Sequence, residues 1–452
     1  MELLPDARLT EVLAGLNPWW TTGSLPQSAR FTQARSIDGF LHESERPVLV
    51  TGPRRAGKTS TLLRLVDHHL RSGRSPNQVV YLNFDHPLLR LEPLGPLVDR
   101  VLKQIDSSKR PLLLLDGLQA VADWPERFVE VVKTRPHPRI VGTASVRPDS
   151  EDNAYESATL WPLRFREFCA LRGLPELETP PLDLVDPQAP QEDPAEDYLF
   201  DRVLDPMLAD YLVRGGFPEA ALEHDLRSAQ TFVRDAVVSR AVYQDLPSVV
   251  GVWKLADLER VLIAALSQGG EPLVMESFSD ALELDRATVA RYLEHLGRAF
   301  LLTPLKNYAA ATDRSRARLH PTDPSLSNAL LERGATVLAR PRERRALIVS
   351  AVVSHVAEAV RERGFDVAYF REGEVACDVV VVTPEGAIPI LVVDRDEVTE
   401  EEEATVERLI KRLKVRHVFV LSRARPRRRA PLSFFESAIH LPASYFLYAL
   451  RA

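Results

Sequence analysis

Two cysteines in 452 residues, Cys169 and Cys377, are too few for a disulfide framework or a four-thiolate zinc site. They read as small buried hydrophobes in a reducing compartment. No apolar run approaches the roughly 20 residues that span a bilayer, and the start Met1-Glu2-Leu3-Leu4-Pro5-Asp6 lacks the basic stretch and apolar core of a signal peptide. A cytoplasmic protein with no membrane partner is expected. Excess positive charge is missing as well: 57 Lys plus Arg face 64 Asp plus Glu, for a formal net charge of -7. A polycation that coats nucleic acid is excluded, so any DNA or RNA contact must be a local patch. Gly is scarce at 20 and Pro abundant at 34, a balance that stiffens loops rather than making flexible linkers.

What is present fits an ordinary globular chain. Hydrophobic residues make up 45% and charged residues 27%, enough for each domain to bury a core, and the length allows about three domains. From Arg46 to about Gly173, short apolar runs alternate with helical stretches. Pro47-Thr51, Val79-Phe84, Leu112-Leu115 and Arg139-Thr143 look like buried parallel strands, which implies an α/β sheet. Between Leu174 and Asp197 six prolines stand among many Asp and Glu, the pattern of an extended loop or linker. From Tyr198 the pattern turns helical, with Leu258, Val261, Leu262, Ala265 and Leu266 on one face. After Arg345 come a long helix, three β-rich runs, a charged helix over Glu400-Leu413 and a strand at His417-Leu421.

The strongest signal is Gly52-Pro53-Arg54-Arg55-Ala56-Gly57-Lys58-Thr59, an unbroken G-x-x-x-x-G-K-[ST]. An apolar strand precedes it, and Ser60-Thr61-Leu62-Leu63-Arg64-Leu65-Val66 continues it as an amphipathic helix. That order lets backbone amides and a helix N-terminus face a phosphate chain, with Lys58 reaching the β- and γ-phosphates and Thr59 placing its hydroxyl on Mg²⁺. Residues Gly52 through Ser60 are therefore the candidate ATP-binding set. Mg²⁺ takes oxygen ligands, and Leu112-Leu113-Leu114-Leu115-Asp116 supplies a carboxylate at a strand end. Asp85, at the tip of the preceding strand, is either a second polar contributor or a turn residue. Hydrolysis usually also needs a group that orients water. Gly117 stands where many such ATPases carry Glu, and Gln119, Asp123 or a partner's residue remain as replacements. Thr143 is either a γ-phosphate sensor or a strand-capping hydroxyl.

The whole pattern resembles a family of prokaryotic AAA+-like P-loop ATPases whose nucleotide domain is followed by a winged helix and a restriction-nuclease-like domain. The resemblance runs through Asn17-Pro18-Trp19-Trp20, the Gly52-Thr59 loop, Asn83-Phe84-Asp85-His86-Pro87, Leu115-Asp116-Gly117-Leu118-Gln119, Pro162-Leu163-Arg164-Phe165-Arg166-Glu167-Phe168 and Gly215-Gly216-Phe217-Pro218-Glu219. It implies a P-loop NTPase parallel sheet over residues 1-173, a Pro-rich acidic linker over 174-197, a helical and winged-helix domain over 198-340 and a nuclease-like α/β domain over 341-452. The chain departs from the family at Gly117, where Glu is usual, and a Gly-Arg pair usual before Pro162 is not evident. Slow or partner-stimulated hydrolysis is expected.

Ser277-Leu284 and Arg286-Leu296 read as two helices joined by a short turn, which suits a helix-turn-helix. Arg286, Thr288 and Arg291 are its candidate DNA contacts, with protein packing as the alternative use. Arg314, Arg316 and Arg318 alternate along a following strand, so they share one face. In the last domain Asp378 matches the first carboxylate of the restriction-nuclease core. The family-type Glu-x-Lys is here Leu391-Val392-Val393, and the helix Glu is replaced by Val349. Apolar side chains cannot hold a divalent cation, so a nuclease-like fold without nuclease activity is expected, with Asp394 the nearest substitute ligand. The run Arg423-Ala424-Arg425-Pro426-Arg427-Arg428-Arg429 is either a phosphate grip or a solvated loop.

Together these readings predict an ATP-binding protein, a slow or partner-stimulated ATPase whose nucleotide state moves a winged-helix and inactive nuclease-like module. A nucleotide-gated module that binds DNA, a protein partner or a second copy of the chain without turnover is the alternative, and an ATP-driven nuclease is a third.

Overall fold

The computed structural model describes residues 4-30, 33-105, 110-187, 200-247, 254-309, 316-361, 363-396, 398-423 and 437-450. They form two compact units. Among the described residues no helix is long and apolar enough to cross a membrane.

The first unit comprises Met1–Trp161, Ser239–Leu255 and Arg298–Phe300. Its sheet contains β1 (Val48–Thr51), β2 (Val79–Asn83), β3 (Leu112–Asp116), β4 (Arg139–Ala144) and β5 (Glu156–Thr159), all parallel, in the order β2-β3-β4-β1-β5. β1 to β4 are mostly apolar and almost entirely buried, as strands covered on both faces are. Alternate residues supply separate cores: Leu49, Leu113, Leu115 and Ile140 face one side, and Val48, Val50, Leu114 and Val141 the other. β5 is not legible in the sequence, because Glu156-Ser157-Ala158-Thr159 is a polar edge strand held by its pairing to β1. At the opposite edge, the Asn17 side chain takes the place of a neighbouring strand. It donates to Tyr81 O (3.1 Å) and accepts from Tyr81 N (2.6 Å), while the indoles of Trp19 and Trp20 donate to Val79 O at 2.9 and 3.0 Å. The Asn17-Trp20 block thus covers an edge that would otherwise offer open backbone groups.

The second unit comprises Pro162–Val238, Ala256–Gly297 and Leu301–Ala452. It is built on a mixed sheet of β6 (Pro272–Val274), β7 (Leu302–Asn307), β8 (Arg316–Pro321), β9 (Asp366–Glu372), β10 (Val375–Thr383), β11 (Gly386–Val392), β12 (Val418–Ser422) and β13 (Ala438–Pro442), in the order β13-β12-β11-β10-β9-β7-β8-β6. β6, β8 and β7 are antiparallel, β7 joins β9 in parallel at Lys306↔Ala368, and β11, β12 and β13 run parallel. The boundary expected near residue 340 is therefore not a break in the sheet: one hydrogen-bonded surface crosses it, which no local pattern reveals. The helix Pro341–Arg361 is buried around most of its circumference, including Val349, so its hydrophobic pattern is continuous rather than one-sided. The helix Glu400–Leu413 has the bounds expected, fixed by a Thr399/Glu402 capping box.

Two expectations need correction. Part of the Pro-rich stretch is docked rather than a free linker, since Leu182 and Leu184 are buried, Leu182 N donates to Ala449 O (3.0 Å) and Asp183 pairs with Arg363 (2.6 Å). Residues 188-197 lie outside the described residues. The last domain also continues past its expected final strand, through β13 and the buried helix Ala443–Ala449. Both cysteines are buried, and burial pushes each thiol up to about 12, so they act as apolar side chains.

Candidate functional site

The Gly52-Thr59 loop leaves the C-terminal end of β1 and feeds the helix Lys58–Arg71. Gly52 is obligatory by close approach, because a Cβ there would lie 2.1 Å from Leu160 O. Gly57 has φ 102°, a left-handed residue directly before the helix that turns the first helical amides toward the loop. Pro53 and Ala56 are buried, Ser60 is half-buried in the first helical turn, and Arg55 is exposed at φ 62°. Arg35, not anticipated from the sequence, holds the loop from behind by donating to Ala56 O (2.8 Å) and Trp161 O (2.7 Å).

The polar groups of the loop lie close to Asp116. Lys58 Nζ donates to Gly52 O (2.7 Å) and Pro53 O (2.8 Å). Its burial lowers the ammonium pKa to about 8, against the opposing pull of Asp116 and Asp245. Thr59 Oγ1 donates to Asp116 Oδ2 at 2.7 Å, so the two expected Mg²⁺ ligands are adjacent. Thr143 Oγ1 donates to Asp116 Oδ1 and accepts from Gly117 N (3.0 Å), joining β4 to the carboxylate. Tyr81 was missed: its hydroxyl donates to Asp116 Oδ2 (2.7 Å), and its pKa is raised by burial and by that carboxylate. An aromatic hydroxyl inside an otherwise apolar strand was the available signal.

The open alternatives separate. Asp85 is an exposed turn residue whose amide donates to Asn83 Oδ1 at 2.8 Å. Asp123 precedes the helix Trp124–Thr134 with its side chain 75% exposed, near Arg127. Gln119 is buried, accepts from Ser145 N (3.1 Å), and brings Nε2 within 3.7 Å of the point a Cβ on Gly117 would occupy. Of the two side chains, Gln119 is the one beside the position where Glu is usual.

In the second unit, Asp378 is buried and its carboxylate receives Arg345 NH2 at 2.8 and 2.9 Å and Val392 N at 3.0 Å, with Arg318 at 3.6 Å. Leu391, Val393 and Val349 are buried. Asp394 faces Arg423 (3.2 Å) and Arg344 (3.5 Å). On the helix Arg286–Arg298, Arg286 and Arg291 are exposed, but Arg286 is paired with Glu276 and Thr288 with Asp285. Arg314 and residues 424-429 of the basic run lie outside the described residues.

Residues 44-169 match the family described as AAA domain, and residues 205-336 match a domain of unknown function (DUF8612). An uncharacterized protein of Haemophilus influenzae is 22% identical over 276 residues, 58% of this chain and 62% of the relative. The match thus spans less than two thirds of that relative's length. Among solved structures, C. elegans PCH-2 aligns with 53% of this chain and 70% of its own at 16% identity and a TM-score of 0.26. AMPPCP-bound DnaA from Aquifex aeolicus aligns with 62% and 92% at 15% identity and a TM-score of 0.23. The Gly52-Thr59 loop lies inside the stretch that resembles a AAA domain.

Proposed function

We propose that this protein binds ATP with Mg²⁺ at the Gly52-Thr59 loop and hydrolyses it, slowly or under a partner's control. The carrying observation is the 2.7 Å contact of Thr59 with Asp116 at the N-terminus of the Lys58–Arg71 helix, inside the region that matches the AAA domain. A hydroxyl and a carboxylate are hard oxygen donors, a set that fits Mg²⁺ shared with substrate phosphates rather than held in an all-protein cage. Bound Mg²⁺ would neutralise charge developing on the phosphates. Lys58 would hold the β- and γ-phosphates, Thr143 would fix the Asp116 carboxylate, and Gln119 would orient water in place of the usual Glu.

Two outcomes follow. Lys58→Ala should abolish turnover, and Gln119→Ala should lower kcat by about tenfold to a hundredfold with little change in ADP affinity, whereas Asp123→Ala should match wild type. Steady-state phosphate release, with and without duplex DNA at fixed salt, makes the comparison, and equal rates for Gln119→Ala and wild type would remove Gln119 from this role. Polyphosphate binding also needs the Lys58 ammonium, which is intact below about pH 8 and lost as pH rises through that value. ADP affinity should therefore fall about tenfold between pH 7 and pH 9, by calorimetric titration. A flat profile would contradict it. Between about pH 8 and pH 10.5 the folded chain holds less of the Lys58 proton than the unfolded chain, so Lys58 itself makes folding more favourable, not less, as pH rises through that window.

For the remainder we propose a winged helix built from the helices Leu255–Ser267, Met275–Leu282 and Arg286–Arg298 with β6, β7 and β8, followed by a nuclease-like fold that does not cleave DNA. Supporting the second point, Asp378 is already committed to Arg345, Arg318 and Val392 N, and its expected co-ligands are apolar. DNA at exposed Arg286 and Arg291, a protein partner or a second copy of the chain remain the candidate recipients of the nucleotide signal. A cytoplasmic site of action fits this reading.

A further inference from the structure

The third residue of the phosphate loop is not solvated. Arg54 makes a bidentate pair with Asp245, Nε to Oδ2 and NH2 to Oδ1, both at 2.7 Å. Asp245 is only 3% exposed and lies in the helical segment Ala241–Asp245, almost two hundred residues away in sequence. Its Oδ2 also accepts from Ser145 Oγ at 2.6 Å. Ser145 follows β4, and its backbone N–H is the group that holds Gln119 Oε1 at 3.1 Å. One buried carboxylate therefore ties together the loop, the end of β4 beside Thr143 and the Gln119 side chain.

Burying a carboxylate is costly unless every partner is in place, and a bidentate guanidinium is the geometry that compensates it best. The three bonds fix Arg54, Ser145 and, through Ser145, Gln119 in a single arrangement. Asp245 also lies close enough to Lys58 to favour its ammonium, whereas Arg54 disfavours it. The carboxylate thus balances two cations where an anionic phosphate chain is to be received. Its own negative charge works against phosphate binding, so its value lies in geometry rather than in affinity.

We propose that Asp245 is a positioning residue of the nucleotide site, acting on turnover through Arg54 and through Ser145 and Gln119. The inference rests on the ATPase reading above. It also makes the segment around Asp245 a part of the phosphate site that a partner bound elsewhere on that segment would perturb.

The test compares wild type with Asp245→Asn, Arg54→Ala, Ser145→Ala and the Arg54→Ala/Asp245→Asn double variant in the full chain. Phosphate release gives kcat, titration with MgADP gives Kd, and thermal melting checks folding. Asp245→Asn should lower kcat about a hundredfold, the scale of a misplaced catalytic geometry, while binding MgADP at least as tightly as wild type. The double variant should be no slower than the worse single variant, because both break one unit. A merely structural role would instead weaken binding and lower the melting temperature together, and that result overturns the proposal. So does wild-type kcat in Asp245→Asn. Where Asp245→Asn fails to fold, Arg54→Ala and Ser145→Ala carry the same expectation for kcat. Failure of the ATPase reading is distinct: wild type would show no turnover, and Lys58→Ala would bind MgADP as wild type does, removing both claims.

Discussion

Gly216→Ala is expected to lower the melting temperature of the second unit by roughly 10 °C or more. The Cβ would lie 2.2 Å from Leu163 O, and that contact cannot open cheaply because Leu163 N donates to Gly216 O at 2.6 Å. On its other side Gly216 N donates to Asp323 Oδ2 at 2.7 Å, and Asp323 is buried, its pKa raised by desolvation against the hydrogen bonds it accepts. Moving the backbone would break both bonds and leave a buried carboxylate short of a donor, a loss of about 4 kcal/mol, or roughly 10 °C for a unit of this size. Scanning calorimetry decides it: a transition within 2 °C of wild type would show that the chain relaxes around the methyl.

The same contacts explain a motif block as architecture. Leu163 meets the Gly215-Gly216 turn, Arg164 pairs with Glu358 (2.9 Å), Phe165 N donates to His355 Nε2 (2.9 Å), and Tyr211 OH donates to Leu163 O (3.1 Å). These residues join three helices of the second unit, Phe165–Leu171, Asp205–Arg214 and Pro341–Arg361.

Asp116→Asn is expected to reduce Mg²⁺-dependent ATP turnover by a hundredfold to a thousandfold. Thr59, Tyr81 and Thr143 all donate to this one side chain, which commits its lone pairs to an anionic acceptor. An amide in its place keeps one acceptor oxygen, turns an N–H toward a hydroxyl and removes the charge that draws a hard cation. The loss should therefore concentrate in Mg²⁺-dependent chemistry, the pattern of an interaction made in the transition state, while ADP binding without Mg²⁺ stays close to wild type. Turnover measured across Mg²⁺ concentrations checks it, and an activity within threefold of wild type at saturating Mg²⁺ would take Asp116 out of the site.

The parts legible in the sequence are those written in local order. The loop at Gly52-Thr59 occupies contiguous residues, β1 to β4 are short and mostly apolar, and Glu400–Leu413 carries its own cap, so each could be read in place. Asp116 was recognised as a strand-end carboxylate, and it does meet Thr59. What escaped depends on partners far along the chain. β5 is polar and exists through pairing with β1, and β7 joins β9 across an intervening stretch that contains β8 and the helix Pro341–Arg361. Asp245 looks like any acidic residue on a helix until Arg54 and Ser145 close on it. The roles of Tyr81 and Arg35 likewise depend on strands and loop coming together. Leu182 and Leu184 stood among prolines and acids, which masked two apolar anchors inside an apparent linker.

The central claim is that the Gly52-Thr59 loop receives a Mg²⁺-nucleotide. The most direct measurement is a calorimetric titration of the full chain with a non-hydrolysable ATP analogue, with Mg²⁺ and with EDTA, for wild type and Lys58→Ala. The account predicts saturable binding at one site per chain, tighter with Mg²⁺ and lost in Lys58→Ala. Binding that is absent in wild type, or that is the same in Lys58→Ala, would contradict it.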